Sequence, residues 1–356
     1  MSTLNVSNIA GPSNTGTAAI LSSVNGGPVS GARNRVINGD MRIDQRNAGA
    51  AITPTNGQYL VDRFLFGATQ ASKFTSGQGS GGAPTGFSNY YAFTSSSAYP
   101  VLSSDFFIVS QNIEGFNVSD LNWGTVNARS VILSFVVLSS LTGTFAGAIR
   151  NSAANRSYPF TYSIPSANTW TTISITIPGD TAGTWLTNNG IGLTVTFNLG
   201  AGSTFSSTAG AWAAGNFISA PGATSVVGTN GATFYITGVQ LEAGTVATPF
   251  ERRSYGQELA LCQRYYETTG TSNYGNALLW RGYTVNATAY SSRAYFMVEK
   301  RAAPTVTLTN EFAVAFPTTP GTPAGIGIRG FDEARTANAT NNSGLFSSYW
   351  TASIEL

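Results

Sequence analysis

Residues 192–200 read GLTVTFNLG, and their alternation decides the fold class. Leu193, Val195, Phe197 and Leu199 fall on one side and Thr194, Thr196 and Asn198 on the other, the period of two that an extended strand produces. Residues 170–180, WTTISITIPGD, repeat the pattern. There Thr171, Ile173, Ile175 and Ile177 share one face, with Thr172, Ser174 and Thr176 opposite. Apolar inside and small polar outside describe an antiparallel sheet with one wet face. The run SVILSFVVL (130–138) is apolar on both sides and is expected at the centre of a sheet. In ATFYITGVQLE (232–242) the inward set Phe234 and Ile236 changes parity to Val239 and Leu241. A β-bulge at Thr237–Gly238 restores register, and glycine is the residue such a site favours. This strand is expected to close a β-sandwich or jelly roll whose strands are joined by Gly-rich turns.

Working outward from that strand, residues 254–267 hold the one convincing helix. Ser254 and Gln257 form a capping box. Tyr255, Leu259, Cys262 and Tyr266 then trace a single apolar stripe over an expected 12–14 residues. A helix of that length needs a neighbour to lie on, and Cys262 is expected to be packing inside the stripe. Beyond it RAYFMVEKRAAPTVTLTN and SSYWTASIEL alternate again, with Trp350, Ala352, Ile354 and Leu356 on one face. An apolar strand at that position is expected to be covered by other chain segments or other subunits. The organisation that follows is an all-β chain: a Ser/Asn/Gly/Pro-rich attachment segment over 1–32, a jelly-roll β-sandwich over 33–253, then a linking helix and a smaller C-terminal β-domain over 254–356.

Composition narrows the chemistry. Only 10% of the 356 residues are charged, against about 25% in ordinary proteins, so the polar surface is built from Ser, Thr, Asn and Gly. A net charge of +2 gives no general attraction to nucleic acid or to an anionic membrane. With no histidine and one cysteine, a His-containing zinc site, a Ser-His-Asp triad, a Cys-His nucleophile and an intrachain disulfide are all excluded. The N-terminus lacks a basic stretch followed by an apolar one, so it does not read as a signal peptide, and no apolar run reaches the ~18 residues that would span a membrane.

Two blocks of sequence are specific enough to name a family. RNRVINGDMRIDQRNAG with YLVDRF, and GVQLEAGTVATPFERRSYGQELALCQRYY, resemble recurring segments of tail-fibre and related virion proteins of tailed bacteriophages and prophages; the opening MSTLNVSNI looks like the start of such fibres. The resemblance spans about 35–270. It implies a homotrimeric, non-enzymatic adhesin or structural fibre of the virion, held to other virion proteins through residues 1–32, with its distal part facing the host. In layout the middle domain is also similar to jelly-roll carbohydrate-binding modules, INGDMRI standing where those begin and FYITGVQLE at their final strand. Such modules often carry Asp in that strand for a structural calcium. Thr237 and Gly238 stand there in this chain, which leaves Asp40 and Glu242 as candidate ligands for an ion that wants six to eight oxygens. No cofactor is expected.

Glycan recognition needs aromatic faces for sugar C–H surfaces and Asn, Asp, Gln or Ser groups for hydroxyls. The candidates are Tyr90 and Tyr91 in SNYYAF, Trp123 in DLNWG, Trp185 in TAGTWLTNNG and Trp212 in AGAWAAGN. Trp185 and Trp212 sit in Gly- and Asn-rich loops where an aromatic has less core to fill, whereas Trp170 begins a strand and is assigned to the core. Glycosidic cleavage would need two facing carboxylates; Asp105, Glu114, Asp120 and Asp180 are candidates, but no motif joins them. Arg33, Arg35, Arg42, Arg46, Arg252 and Arg253 read as structural, Arg42 with Asp40 or Asp44 and Arg252 with Glu251. The expectation is therefore a phage virion fibre or tail-associated adhesin that binds host-surface glycan without cleaving it. The alternatives are a purely structural head-fibre or decoration protein, and a free carbohydrate-binding module or hydrolase.

Overall fold

Strands form wherever the sequence alternates. The computed structural model describes residues 33–270 and 278–356, together with the backbone of a two-residue ladder between 23–24 and 27–28; the rest of the expected attachment segment lies outside the described residues. A seven-stranded sheet is built from β1 (Gln58–Val61), β2 (Phe64–Ala68), β5 (Phe106–Glu114), β7 (Gly143–Arg150), β8 (Arg156–Ile164), β10 (Ile191–Ala201) and β11 (Ala213–Ala214). Its spatial order is β11-β8-β7-β10-β5-β2-β1. A five-stranded sheet takes β3 (Phe74–Gly79), β4 (Tyr90–Ser95), β6 (Val131–Ser139), β9 (Thr171–Ile177) and β12 (Thr233–Ala243) in the order β9-β6-β12-β4-β3. The ladders are antiparallel, and the chain crosses repeatedly from one sheet to the other, from β5 to β6, β6 to β7, β8 to β9 and β9 to β10. That makes the sandwich a jelly roll.

Its core is aromatic. Phe66, Phe74, Phe93 and Phe107 meet at ring separations of 5.9–6.2 Å, and Phe135 lies 5.0 Å from both Tyr162 and Phe197. The inward sets read from β9 and β10 pack there. The bulge expected at Thr237–Gly238 is present as a register shift between Thr237 and Gln240. Gly238 has φ +63°, and a Cβ on it would lie 2.7 Å from the Phe87 ring. One expectation needs correcting. The outer face of β10 is covered rather than wet, Thr194, Thr196 and Asn198 all being buried. Strand β6 is paired on both sides, inside the sheet as expected, with its outward Ser134, Val136 and Leu138 half-buried.

The helix α1 (Tyr255–Gln263) begins with the expected capping box but has 9 residues. Because it stops there, Tyr265 rather than Tyr266 reaches the interior, and Tyr255 is exposed. Cys262 is fully buried among Ile37, Ile43 and Tyr265, and burial pushes its thiol pKa up. The C-terminal strands are β13 (Tyr266–Thr268), β14 (Leu278–Thr284), β15 (Ala289–Tyr295), β16 (Thr305–Val314), β17 (Pro323–Gly327), β18 (Gly330–Thr336) and β19 (Asn341–Ser353). They form a second two-sheet unit around Phe316, Phe331, Phe346 and Trp350. Leu356 packs against the Cys262 cluster, so this end of the chain is covered by the same molecule.

The two blocks that carry the family resemblance meet in space. Asn34 Oδ1 accepts the backbone N–H groups of Val36 and Leu241, and its Nδ2 donates to the Val239 carbonyl at 3.0 Å. Asn38, fully buried, bonds the backbone of Ile43 and Asp62 through its amide, while its own N–H donates to Glu258 on α1. Gly39 lies flat on the closing strand: a Cβ there would stand 2.1 Å from the Val239 carbonyl oxygen, which is backbone and cannot turn aside. Gly39→Ala is expected to cost about 1–3 kcal/mol by overpacking. Denaturant unfolding checks this, and an unchanged midpoint would contradict it.

Candidate functional site

Parity sorts the aromatic candidates. On β4 the residues Tyr91, Phe93 and Ser95 face the core, leaving Tyr90, Ala92 and Thr94 outward. Tyr91 is fully buried, 4.4 Å from Phe93, and offers no face to a ligand; its assignment as a binding residue is corrected. Tyr90 lies on the outer face of the five-stranded sheet, stacked on Tyr235 of β12 at 4.9 Å and 30°. Trp170, just ahead of β9, meets Tyr90 edge-on at 5.5 Å. The loop after β3 fixes both rings, with Tyr90 Oη donating to the Gly81 carbonyl at 2.9 Å and Trp170 Nε1 to the Gly82 carbonyl at 2.8 Å. Gly79 pairs with Tyr90, and a Cβ there would fall 2.4 Å from the ring. Only glycine lets Tyr90 lie down over β3. Burial and the neighbouring Tyr235 raise the Tyr90 pKa, which keeps its hydroxyl neutral.

Around the three half-buried rings the register places Thr75, Ala92, Thr94, Val136, Leu138, Thr172 and Thr233 on the same face. This set carries hydroxyls and small apolar groups and no charge. The far end of the face is closed by the segment after β12, where Glu242 accepts the Thr248 N–H and hydroxyl at 2.8 and 2.7 Å. Arg252 does not pair with Glu251 as expected. It lies over the Phe87 ring at 4.9 Å and donates to the Gly86 carbonyl, while Arg253 takes Glu251 and Glu258. Trp170 and Tyr235 were not among the expected binding residues. Their signal was present in the alternation, since both share parity with the outward sets of their strands.

Trp123, Trp185 and Trp212 converge instead at one end of the sandwich, with ring separations of 4.7, 5.3 and 5.4 Å. Each indole N–H is used on a backbone carbonyl, of Arg129, Ala182 and Pro178 respectively. Tyr158 and the Arg156–Asp180 pair complete the group. Trp123 is buried, and Trp185 and Trp212 are half-buried. The three knit the loops around 122–129, 178–187 and 208–214 together, so they are not three separate platforms.

The acidic candidates are held apart by different partners. Asp105 accepts from Tyr99, Thr69 and Gln70, Glu114 from Arg264 and Tyr265, Asp120 from Arg35, and Asp180 from Arg156. Asp40 pairs with Arg42 at 2.5 Å, and Glu242 closes its own turn. Among the described residues no group of three or more His, Cys, Asp or Glu could hold a metal ion.

A cluster of buried charges lies where the sandwich meets the C-terminal strands. Arg46 bonds Asp62 at 2.9 Å and Glu355 at 2.7 Å and lies 3.6 Å from the Tyr266 ring centre. Arg63, 1% exposed with φ +72°, pairs with Glu355, donates to the Asn112 carbonyl and lies 3.5 Å from the Tyr265 ring centre. Burial raises the Asp62 pKa to about 6, against the pull of Arg46 and Gln45. Its unfolded value is about 3.9, so between about pH 6 and pH 4 the native chain holds more protons here than the unfolded one. This group therefore makes stability rise as pH falls through that window. Below it, Glu114, whose pKa is held down mainly by Arg264 and Tyr265 against its burial, gives the opposite slope. Urea unfolding from pH 7 to pH 5 should show the parent gaining about 1–2 kcal/mol relative to Asp62→Asn; a relative loss would contradict the assignment.

No family model matches the chain, and no curated protein matches it. Similar solved structures include an enzymatically active domain of tailspike protein 4 of bacteriophage CBA120, at 15% identity and TM-score 0.32, covering 59% of this chain and 21% of that one. A protein from Bacteroides thetaiotaomicron described as a candidate sugar binder is similar at 12% identity and TM-score 0.35, over 59% of this chain and 99% of the other. So is a family 11 carbohydrate-binding module from Clostridium thermocellum solved with a mixed-linked tetrasaccharide, at 12% and 0.28, over 56% and 98%. The chain spans about a fifth of the tailspike structure. Likeness at this level assigns no residue and no ligand.

Proposed function

We propose that this chain is a bacteriophage virion fibre or tail-associated adhesin that binds host-surface glycan without cleaving it. The observation that carries the reading is the uncharged outer face bearing Tyr90, Trp170 and Tyr235, three rings fixed by loop carbonyls and bordered by hydroxyls. Such a surface suits the C–H faces and hydroxyls of a sugar. The sequence blocks that resemble those of fibre proteins support the virion setting, with residues 1–32 as the attachment segment. The separate partners of Asp105, Glu114, Asp120 and Asp180 favour binding over hydrolysis.

Threefold association is part of this reading. Leu279, Tyr283, Tyr295 and Met297 expose 44%, 57%, 71% and 81% of their surface on the C-terminal unit, apolar area that copies of the chain would cover. Weak single sites would then gain avidity from being displayed together. The test combines three measurements: mass in solution, adsorption of labelled protein to a panel of host strains, and antibody labelling of particles against residues 270–356. A trimer that adsorbs to a subset of strains and is labelled at a fibre tip supports the reading. A trimer that labels the particle but adsorbs to no strain supports a purely structural virion protein, and a monomer absent from particles overturns both.

A further inference from the structure

The opposite face of the sandwich holds a charge with nothing to balance it. On β7 the core takes Phe145 and Ile149, so Ala146, Ala148 and Arg150 point outward from the seven-stranded sheet. Antiparallel register sets Arg150 in one row with Ser157 of β8 and Thr194 of β10, and Thr194 in turn faces Asn112 of β5. At the β5 end of the row the groups satisfy one another, the Thr194 hydroxyl donating to Asn112 Oδ1 and Asn112 Nδ2 to the Leu356 carbonyl, both at 2.7 Å, so the guanidinium is the group left without a charged partner. Beside it the segment after β11 folds over β8, held by Ser157 Oγ, which donates to the Gly215 carbonyl and accepts the Phe217 N–H.

The Arg150 guanidinium has two partners, both neutral: Nη1 donates to Asn216 Oδ1 and Nη2 to Thr196 Oγ1 at a long 3.5 Å. Its Nε is buried with no hydrogen-bond partner. Among the described residues no carboxylate lies within ion-pairing distance. Arg46, Arg63, Arg156, Arg253, Arg264 and Arg335, also half-buried or buried, each have one, whereas Arg301 spends its guanidinium on the carbonyls of Asn189, Ile354 and Glu355. Desolvation alone lowers the Arg150 pKa to about 10. A partly buried cation carries a desolvation cost that a counter-ion relieves, and a guanidinium fork fits a planar or tetrahedral oxyanion.

We propose that Arg150, with the Asn216 amide and the Thr196 hydroxyl beside it, forms a subsite for an oxyanion substituent, a carboxylate or a phosphate carried on a glycan. It lies on the other side of the sandwich from the aromatic face and takes the chemistry that the uncharged face cannot. The subsite stands independently of Tyr90, Trp170 and Tyr235, so either can fail alone.

The full chain, labelled with nitrogen-15, would be titrated separately with sodium D-glucuronate, inorganic phosphate and D-glucose at matched ionic strength. Saturable shifts of the Asn216 and Phe217 amides are expected with the oxyanions and not with glucose, at a dissociation constant of about 1 mM or tighter. Arg150→Gln should weaken them at least about tenfold, and Trp170→Ala should leave them unchanged. Response to glucuronate alone names a uronate-bearing glycan, response to phosphate alone a phosphate-bearing one, and response to both the shared oxyanion chemistry. Failure of both oxyanions to saturate on the parent chain overturns the proposal whatever the variant does. So does an Arg150→Gln chain that folds and titrates like its parent.

Discussion

Arg63→Ala is expected to lower the unfolding free energy by about 3–5 kcal/mol, the cost of removing one partner of a buried ion pair and leaving the other charged and unmatched. Arg63 is 1% exposed, and Glu355, the partner, comes from the far end of the sequence. The loss extends past the pair. The guanidinium also lies against Tyr265 and donates to the Asn112 carbonyl, so the turn after β1, the second residue after α1 and the tail after β19 all lose an anchor together. Because φ at this position is +72°, Ala keeps the backbone strain while losing the contacts that offset it. Glu355→Ala should cost a similar amount, and the double variant less than the two losses added. Urea titration should also show the single transition broadening or splitting as the C-terminal strands come free. A loss below about 1 kcal/mol, the range of exposed pairs, would mean the clasp contributes little.

Trp170→Ala is expected to weaken glycan binding by at least about 2 kcal/mol, roughly thirtyfold, while the melting midpoint moves little. The ring is half-buried at the start of β9 and outside the core, so truncation removes a contact surface without opening a cavity. Gly79→Ala should act on the same site indirectly. Its Cβ would strike the Tyr90 ring at 2.4 Å and lift it from β3, breaking the stack with Tyr235. By contrast Trp185→Ala should loosen the loops tied by the tryptophan cluster and lower stability without a matching loss of affinity. If Trp185→Ala removed binding and Trp170→Ala did not, the recognition site would belong at the other end of the sandwich.

Much of the sandwich was legible because strand parity is a local property. Phe234 with Ile236, and Val239 with Leu241, announced both the core face of β12 and the bulge at Gly238. The same rule applied to SNYYAF would have separated Tyr90 from Tyr91, since Phe93 fixes which of the pair faces inward. Applied to Trp170, it would have placed that ring outward with Thr172. The tryptophans of the Gly- and Asn-rich loops were not legible, because their positions depend on how three loops fold back over one end of the sandwich. Nor was the clasp. Nothing local pairs Arg46 with Glu355, 309 positions away, and the helix is shorter than its apolar stripe because Tyr266–Thr268 joins β19 as a strand, a pairing equally remote in sequence.

The central claim is that glycan binds the uncharged aromatic face of the five-stranded sheet. Amide and indole resonances of the full chain, followed during titration with a neutral glycan selected by its retention on a glycan panel, test it most directly. The account predicts that shifts centre on Tyr90, Ala92, Tyr235 and the Trp170 indole. Shifts centred on Trp123, Trp185 and Trp212, or a panel on which nothing is retained, would contradict it.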